Sequence, residues 1–177
     1  MTVHDAAPAA APIAILIGPP GAGKTTVGAL LAGRLGVGFT DTDAEVEAVA
    51  GKPVSDIFVE DGEPVFRELE RAAVARVLDG RDGIVAVGGG AVLDPRTQNA
   101  LAGRTVVYLE TGFAAAAKRV GLNQARPLLI GNPRATLKIL LDQRLPIYQR
   151  LATIVVGTDD REPAEIAADI AGRLTAP

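Results

Sequence analysis

The chain contains no cysteine and no tryptophan, a single histidine, and aromatic residues at only 3% of its 177 positions. Without cysteine there are no disulfides, no thiol nucleophile and no cysteine-held zinc. The one histidine, His4, lies in the tail MTVHDAAPAAAP, so neither a Ser-His-Asp triad nor a histidine-rich metal site is available. A basic surplus is missing too, since 18 Lys and Arg stand against 21 Asp and Glu for a net charge of −3. With a pI near 5.2 and few rings on which bases could stack, the balance argues against a nucleic-acid partner. Long apolar runs are absent. Ile13–Ile17 is far too short to cross a bilayer and ends in Gly18-Pro19-Pro20, so no membrane partner is expected. The tail lacks the basic start of a signal peptide, and its prolines break the Ala run. Residues 1–12 are expected to be disordered, and the protein is expected to be cytoplasmic.

What is present is an ordinary globular composition, 48% hydrophobic and 22% charged, enough apolar mass for the core of one domain spanning 13–177. Apolar β-rich runs at Ile13–Ile17, Val37–Thr40, Ile84–Val87, Thr105–Leu109 and Thr153–Val156 read as strands. Between and after them, Lys24–Leu35, Ala44–Ala50, Pro64–Leu78 and Ala164–Leu174 read as helices. Gly51-Lys52-Pro53 breaks the second of these from the third. Leu122–Pro133, rich in Gly, Pro and Asn, reads as a mobile loop. Strands alternating with helices at this spacing predict βαβ units, hence an α/β fold with a parallel sheet flanked by helices. Ligands of such sheets bind beyond the carboxyl ends of the strands.

Gly18-Pro19-Pro20-Gly21-Ala22-Gly23-Lys24-Thr25 stands where that rule looks first. It fits G-x-x-x-x-G-K-[ST] between a predicted strand and a predicted helix. The glycines let backbone N–H groups turn inward around an anion, and the helix N-terminus adds its dipole. Lys24 can reach the β- and γ-phosphates, and the Thr25 hydroxyl can ligate magnesium. A purine nucleoside triphosphate is the expected ligand. The Asn-Lys-x-Asp string of base-reading GTPases does not occur.

The acceptor for its phosphate must be read from residues after the other strands. Asp41-Thr42-Asp43 ends the second strand run, where residues two apart would face the same side. One carboxylate could then serve magnesium and the other an attacking hydroxyl. The same residues would also suit an Asx turn or a helix N-cap. Arg67 and Glu70 are spaced i, i+3 on a helix, which allows either an oriented guanidinium or a plain surface ion pair. Gly88-Gly89-Gly90 closes the third strand. Three glycines in a row cost conformational entropy, and close backbone approach to a ligand is the usual compensation.

Taken with Phe66-Arg67-x-x-Glu70, Arg126-Pro127-Leu128 and Arg144-x-Pro-x-Tyr148, these motifs occur in the order seen in shikimate kinases, which the chain resembles from Ile13 onward. The resemblance implies a nucleoside-monophosphate-kinase-like fold with a five-stranded parallel sheet, an acceptor-binding segment near 42–70 and a lid near 121–133. It also implies ATP and Mg²⁺, with transfer of the γ-phosphate to the 3-hydroxyl of shikimate in aromatic amino-acid biosynthesis. By position, Asp43 resembles the carboxylate on the acceptor hydroxyls, and Asp41, with Thr25, the magnesium side. Arg67 and Arg144 resemble the clamp on the shikimate carboxylate, for which planar forks suit better than lysines. Gly89 resembles the backbone contact to the ring substituents, and Val54, Phe58, Phe66, Pro127 and Leu128 the apolar lining. Gly21, Ala22, Gly23, Lys24, Thr25 and Thr26 resemble the phosphate cradle. Arg126 resembles the lid arginine, counted with Lys24 and Asp43 as catalytic. Arg119 and Arg161 resemble the adenine-side contacts.

A gluconate-type kinase is the alternative enzyme of the same fold. A catalytically silent nucleotide-binding module would be expected to lack Lys24, Asp43 or Arg126, and none is missing. No heptad or long apolar stripe argues for more than a monomer.

Overall fold

Strand β1 (Pro12–Ile17) sends Ala14 and Leu16 to one side and Ile15 and Ile17 to the other, all fully buried. A strand apolar on both faces needs a helical layer on each, and the computed structural model, which describes residues 12–120 and 132–175, supplies both. On one side α1 (Lys24–Leu35) and α8 (Pro163–Leu174) pack Val27, Leu31, Ile166 and Ile170 against Leu16, Val107 and Leu109. On the other, α4 (Glu63–Gly80), α5 (Pro95–Leu101) and α7 (Pro133–Leu151) bring Val74, Leu78, Leu101 and Tyr148 against Ile17, Val85 and Tyr108.

The sheet is parallel throughout, in the order β2 (Phe39–Asp41), β3 (Gly83–Ala86), β1, β4 (Val106–Glu110), β5 (Ile154–Gly157). All five strands overlap the apolar runs expected from sequence. β1 lies between strands reached by crossovers in opposite directions, so a crevice opens at its carboxyl end. The phosphate loop fills that position.

Beside the sheet, α2 (Thr42–Ala50), a short helix α3 (Val54–Asp56), a π-turn (Ile57–Asp61) and α4 enclose a small satellite core of Val46, Ile57, Phe66 and Ala73. Between β3 and α5 lies a 3₁₀ turn, Ala91–Leu93. After β4, α6 (Phe113–Val120) leads toward residues 121–131. The lid assigned near 121–133 therefore falls outside the described residues except at its end, where Pro133 opens α7.

Two readings need correction. Asp41-Thr42-Asp43 is not a strand end with two carboxylates on one side, because the strand stops at Asp41 and Thr42 begins α2. The cap geometry decides it: Asp41 is the N-cap, and its Oδ1 accepts the Asp43 N–H at 3.0 Å. The second concerns α7, 19 residues long, which the sequence pattern did not suggest. Pro146 lies inside it, where proline removes a helical hydrogen bond. Burial of Leu137 and Tyr148 along the helix offsets that loss.

Candidate active site

The phosphate loop takes its shape from glycines with no alternative. Gly21 and Gly23 have φ of 81° and 88°, a region that residues with a Cβ rarely adopt. A Cβ on Gly21 would also meet the Ala116 carbonyl at 2.9 Å. Lys24 folds back so that Nζ donates to the carbonyls of Gly18 and Pro19 at 2.8 and 3.1 Å. Its ammonium is thus held at the mouth of the loop.

Next to it, the Thr25 hydroxyl donates to Asp41 Oδ2 at 2.6 Å. The capping carboxylate therefore has a second duty, and the two expected magnesium-side residues meet. Both offer hard oxygen, which suits Mg²⁺. Among the described residues no group of three His, Asp or Glu forms a metal cage. A loop hydroxyl with one carboxylate fits an ion that fills its remaining positions with water and phosphate oxygen.

The carboxyl end of β3 carries the expected acceptor side; side chains approach two of its three glycines, while Gly89 lies against the phosphate loop, where a Cβ would meet the Gly18 carbonyl at 3.2 Å. A Cβ on Gly88 would lie 2.7 Å from Asp43 Oδ1 and 2.8 Å from Glu70 Oε1. One on Gly90 would lie 2.5 Å from an Arg67 guanidinium nitrogen. Gly88 and Gly90 thus make room for Asp43, Glu70 and Arg67. Arg67 donates to Glu70 at 2.7 Å and to Glu63 at 3.1 and 3.2 Å. A surface ion pair is ruled out, because Glu70 is 3% exposed. Burial pushes the Glu70 carboxyl above its ordinary value, Arg67 and Arg144 pull it down, and Asp43 adds to the rise.

Arg144 is likewise 3% exposed. Among the described residues its buried Nε has no hydrogen-bond partner, a costly condition for a guanidinium. The Phe58 and Phe66 rings meet tilted by 37° with centroids 4.5 Å apart, and the Arg67 guanidinium sits 5.2 Å over Phe66. Phe66 itself belongs to the satellite core, with Val54 and Phe58 half-buried against it. Arg126, Pro127 and Leu128 lie outside the described residues.

The adenine-side residues also converge. A cavity of about 490 Å³ is lined by Gly21, Gly23, Thr26, Arg119, Arg161 and Pro163 among others. Arg119 donates to the Thr158 carbonyl and hydroxyl at 2.7 and 3.0 Å. The Thr158 hydroxyl in turn contacts that of Thr111 at 2.7 Å. Arg161 donates twice to Asp169 at 3.1 Å. A larger cavity, about 600 Å³, opens between α7 and the ends of β4 and β5. It contains no phosphate-loop residue, so the smaller one is the nucleotide candidate.

The shikimate kinase family model matches residues 20–175. The chain belongs to the shikimate kinase family. Within it, the chain is 64% identical over 165 residues to a shikimate kinase of Thermobifida fusca (93% of this chain, 96% of the relative). It is 57% identical over 166 residues to one from Salinispora arenicola (94% and 99%). Among solved structures, shikimate kinase from Acinetobacter baumannii in complex with shikimate superposes with a TM-score of 0.88 at 34% identity, covering 93% of each chain. As in that family, the phosphate donor is ATP with Mg²⁺.

Sequence reasoning did not single out Thr42, Tyr148, Thr158 and Asp169 as site residues. Thr158 directly follows β5 and Thr111 directly follows β4, which the carboxyl-end rule could have flagged. Asp169, half-buried on α8, carries no local signal.

Proposed function

We propose that the residues gathered at the carboxyl ends of β1, β2 and β3 carry out the family reaction, transfer of the ATP γ-phosphate to the 3-hydroxyl of shikimate. The observation that bears most weight is Arg144, a buried arginine whose Nε has no partner among the described residues, beside Arg67 and Glu70. A buried guanidinium with its Nε unspent in this way suits a planar carboxylate of the acceptor. Arg67 supplies the second fork, oriented by Glu70 and Glu63. A gluconate-type acceptor also has a carboxylate, but the narrow floor of three glycines favours a compact ring.

Asp43 lies against Gly88, where it takes the acceptor hydroxyl as a hydrogen-bond donor and receives its proton. The bond from the γ-phosphorus to the β–γ bridging oxygen breaks as the bond to the 3-oxygen forms, leaving ADP. Thr25, and Asp41 through a water shell, would hold Mg²⁺, which would supply charge neutralisation at the phosphates. Lys24 and the loop N–H groups hold the same phosphates. Arg119, braced by Thr158, and Arg161, braced by Asp169, bound the adenine. Arg126 serves as the lid arginine. The protein works as a monomer in the cytoplasm.

A coupled ADP-release assay with ATP and Mg²⁺ against shikimate, quinate, gluconate and nucleoside monophosphates tests the reading. Turnover with shikimate well above the others is expected, and preference for gluconate or a nucleotide would overturn it.

A further inference from the structure

Three successive glycines have no side chains to anchor them, and an unrestrained Gly-Gly-Gly samples more backbone conformations than any other tripeptide. Here every peptide plane of the turn is held. The Gly88 N–H donates to Thr42 Oγ1 at 3.0 Å, which fixes the plane between Val87 and Gly88. The Gly88 carbonyl accepts the Ala91 N–H at 3.0 Å, which fixes the next. The Gly89 carbonyl accepts the Tyr148 hydroxyl at 2.6 Å, which fixes the plane between Gly89 and Gly90. In a planar trans peptide the C=O and N–H point opposite ways, so holding a carbonyl aims the N–H that follows. Among the described residues, the N–H groups of Gly89 and Gly90 have no acceptor. They are aimed but unspent.

The two anchors are placed to do this. Tyr148 is 1% exposed and stacks on Tyr108 with centroids 5.2 Å apart. Burial pushes its hydroxyl up to about 12, so it stays protonated as a donor. Arg144 lies one turn earlier on α7, on the same face, and the hydroxyl therefore ties the helix bearing Arg144 to the glycine turn. Thr42, fully buried, ties the turn to the start of α2, next to Asp43.

We propose that Tyr148 and Thr42 are positioning residues: Tyr148 aims the Gly90 N–H at the acceptor, Thr42 anchors the start of the glycine turn, and together they hold the turn at a set spacing from Arg144 and Asp43. The inference rests on the acceptor reading above. Its substance is that recognition by a glycine backbone is supplied by side chains remote from the glycines in sequence.

Tyr148→Phe removes one hydroxyl and keeps the ring, its stacking and its volume. Uniform loss of binding raises KM and spares kcat. The apparent KM for shikimate is expected to rise about 3- to 10-fold, the size of one hydrogen bond. The kcat and the KM for ATP should stay near those of the parent. Thr42→Val should raise the same KM, and Thr42→Ser, which keeps the hydroxyl, should not. If Thr42→Val fails to fold, Tyr148→Phe still decides. An unchanged shikimate KM in Tyr148→Phe, or a lower unfolding temperature as its only effect, overturns the proposal. Equal losses in Thr42→Val and Thr42→Ser overturn the part played by Thr42. Arg144→Ala separates the two layers: indifference of the shikimate KM to that change sinks the acceptor reading. A response to Arg144→Ala without one to Tyr148→Phe sinks only the positioning role.

Discussion

Lys24 donates to two backbone carbonyls of its own loop, so its loss removes the proposed phosphate ligand and no core volume. Lys24→Ala should fold normally and lose at least ~100-fold in turnover, the scale of one preorganised electrostatic group. Thermal unfolding beside the ADP-release assay checks both halves. Arg144 should behave differently, because it is buried beside a buried carboxylate. Arg144→Ala should raise the shikimate KM roughly 10- to 150-fold, the loss of about 1.5–3 kcal/mol from a charge-assisted contact. It should also lower the unfolding temperature, since Glu70 keeps its burial and loses one of the two arginines that offset it. A variant with full stability would show that Arg144 does not compensate Glu70. Asp43→Asn keeps size and removes charge. A kcat fall of at least ~100-fold with modest change in shikimate binding assigns it the proton, while a raised KM alone would make it an orienting ligand.

At the scale of the element, the turn after β3 makes the sharpest case. A Cβ on Gly90 would meet only the tip of Arg67, its three nearest heavy atoms being guanidinium atoms at 2.5–3.0 Å. Gly90→Ala should therefore fold, because a flexible side-chain end can shift, yet displace one arm of the clamp. An increase of at least ~10-fold in shikimate KM, with nucleotide binding by titration calorimetry unchanged, is expected. Equal weakening of both ligands would mean that the turn itself had moved. The triple glycine was legible in the sequence as a place of close approach. That the groups approaching Gly88 and Gly90 are Asp43, Glu70 and Arg67, and that Gly89 meets the phosphate loop, was not, since the first three come from α2 and α4. Asp41-Thr42-Asp43 shows the converse. The carboxylates were recognisable, but strand alternation gave the wrong geometry because a capping hydrogen bond starts a helix one residue after the strand.

For the whole molecule, the last helix is tied to the nucleotide side through one carboxylate. Arg173 and Arg161 donate to Asp169 and hold its carboxyl below the ordinary value of 3.8, with Arg173 contributing most. A carboxylate depressed in the folded state adds stability above its unfolded pKa and loses it as pH falls through the folded one. Asp169→Asn should therefore unfold at a lower temperature than the parent by a constant margin from about pH 5 to 8, and the margin should narrow below about pH 4. A widening margin in acid would reverse the sign and refute the linkage. Because Asp169 also braces Arg161, the same variant should bind ATP more weakly.

Features carried by contiguous residues were determined by the sequence itself. Buried strands showed as apolar runs because both faces of a central parallel strand are covered. The phosphate loop showed because its glycines, lysine and hydroxyl must follow one another to wrap an anion at a helix start. Register and cap positions were read less well, and α7 was missed because its internal proline argues against a helix that only tertiary burial sustains. The site's supports were decided by folding alone. Thr42 and Gly88 are 46 residues apart, Tyr148 and Gly89 are 59 apart, and Arg119 and Thr158 are 39 apart. Hydrogen bonds across such separations leave no period or spacing in the chain. They exist because a parallel sheet brings the carboxyl ends of distant strands to one edge, where α7 and α2 can reach the same glycines.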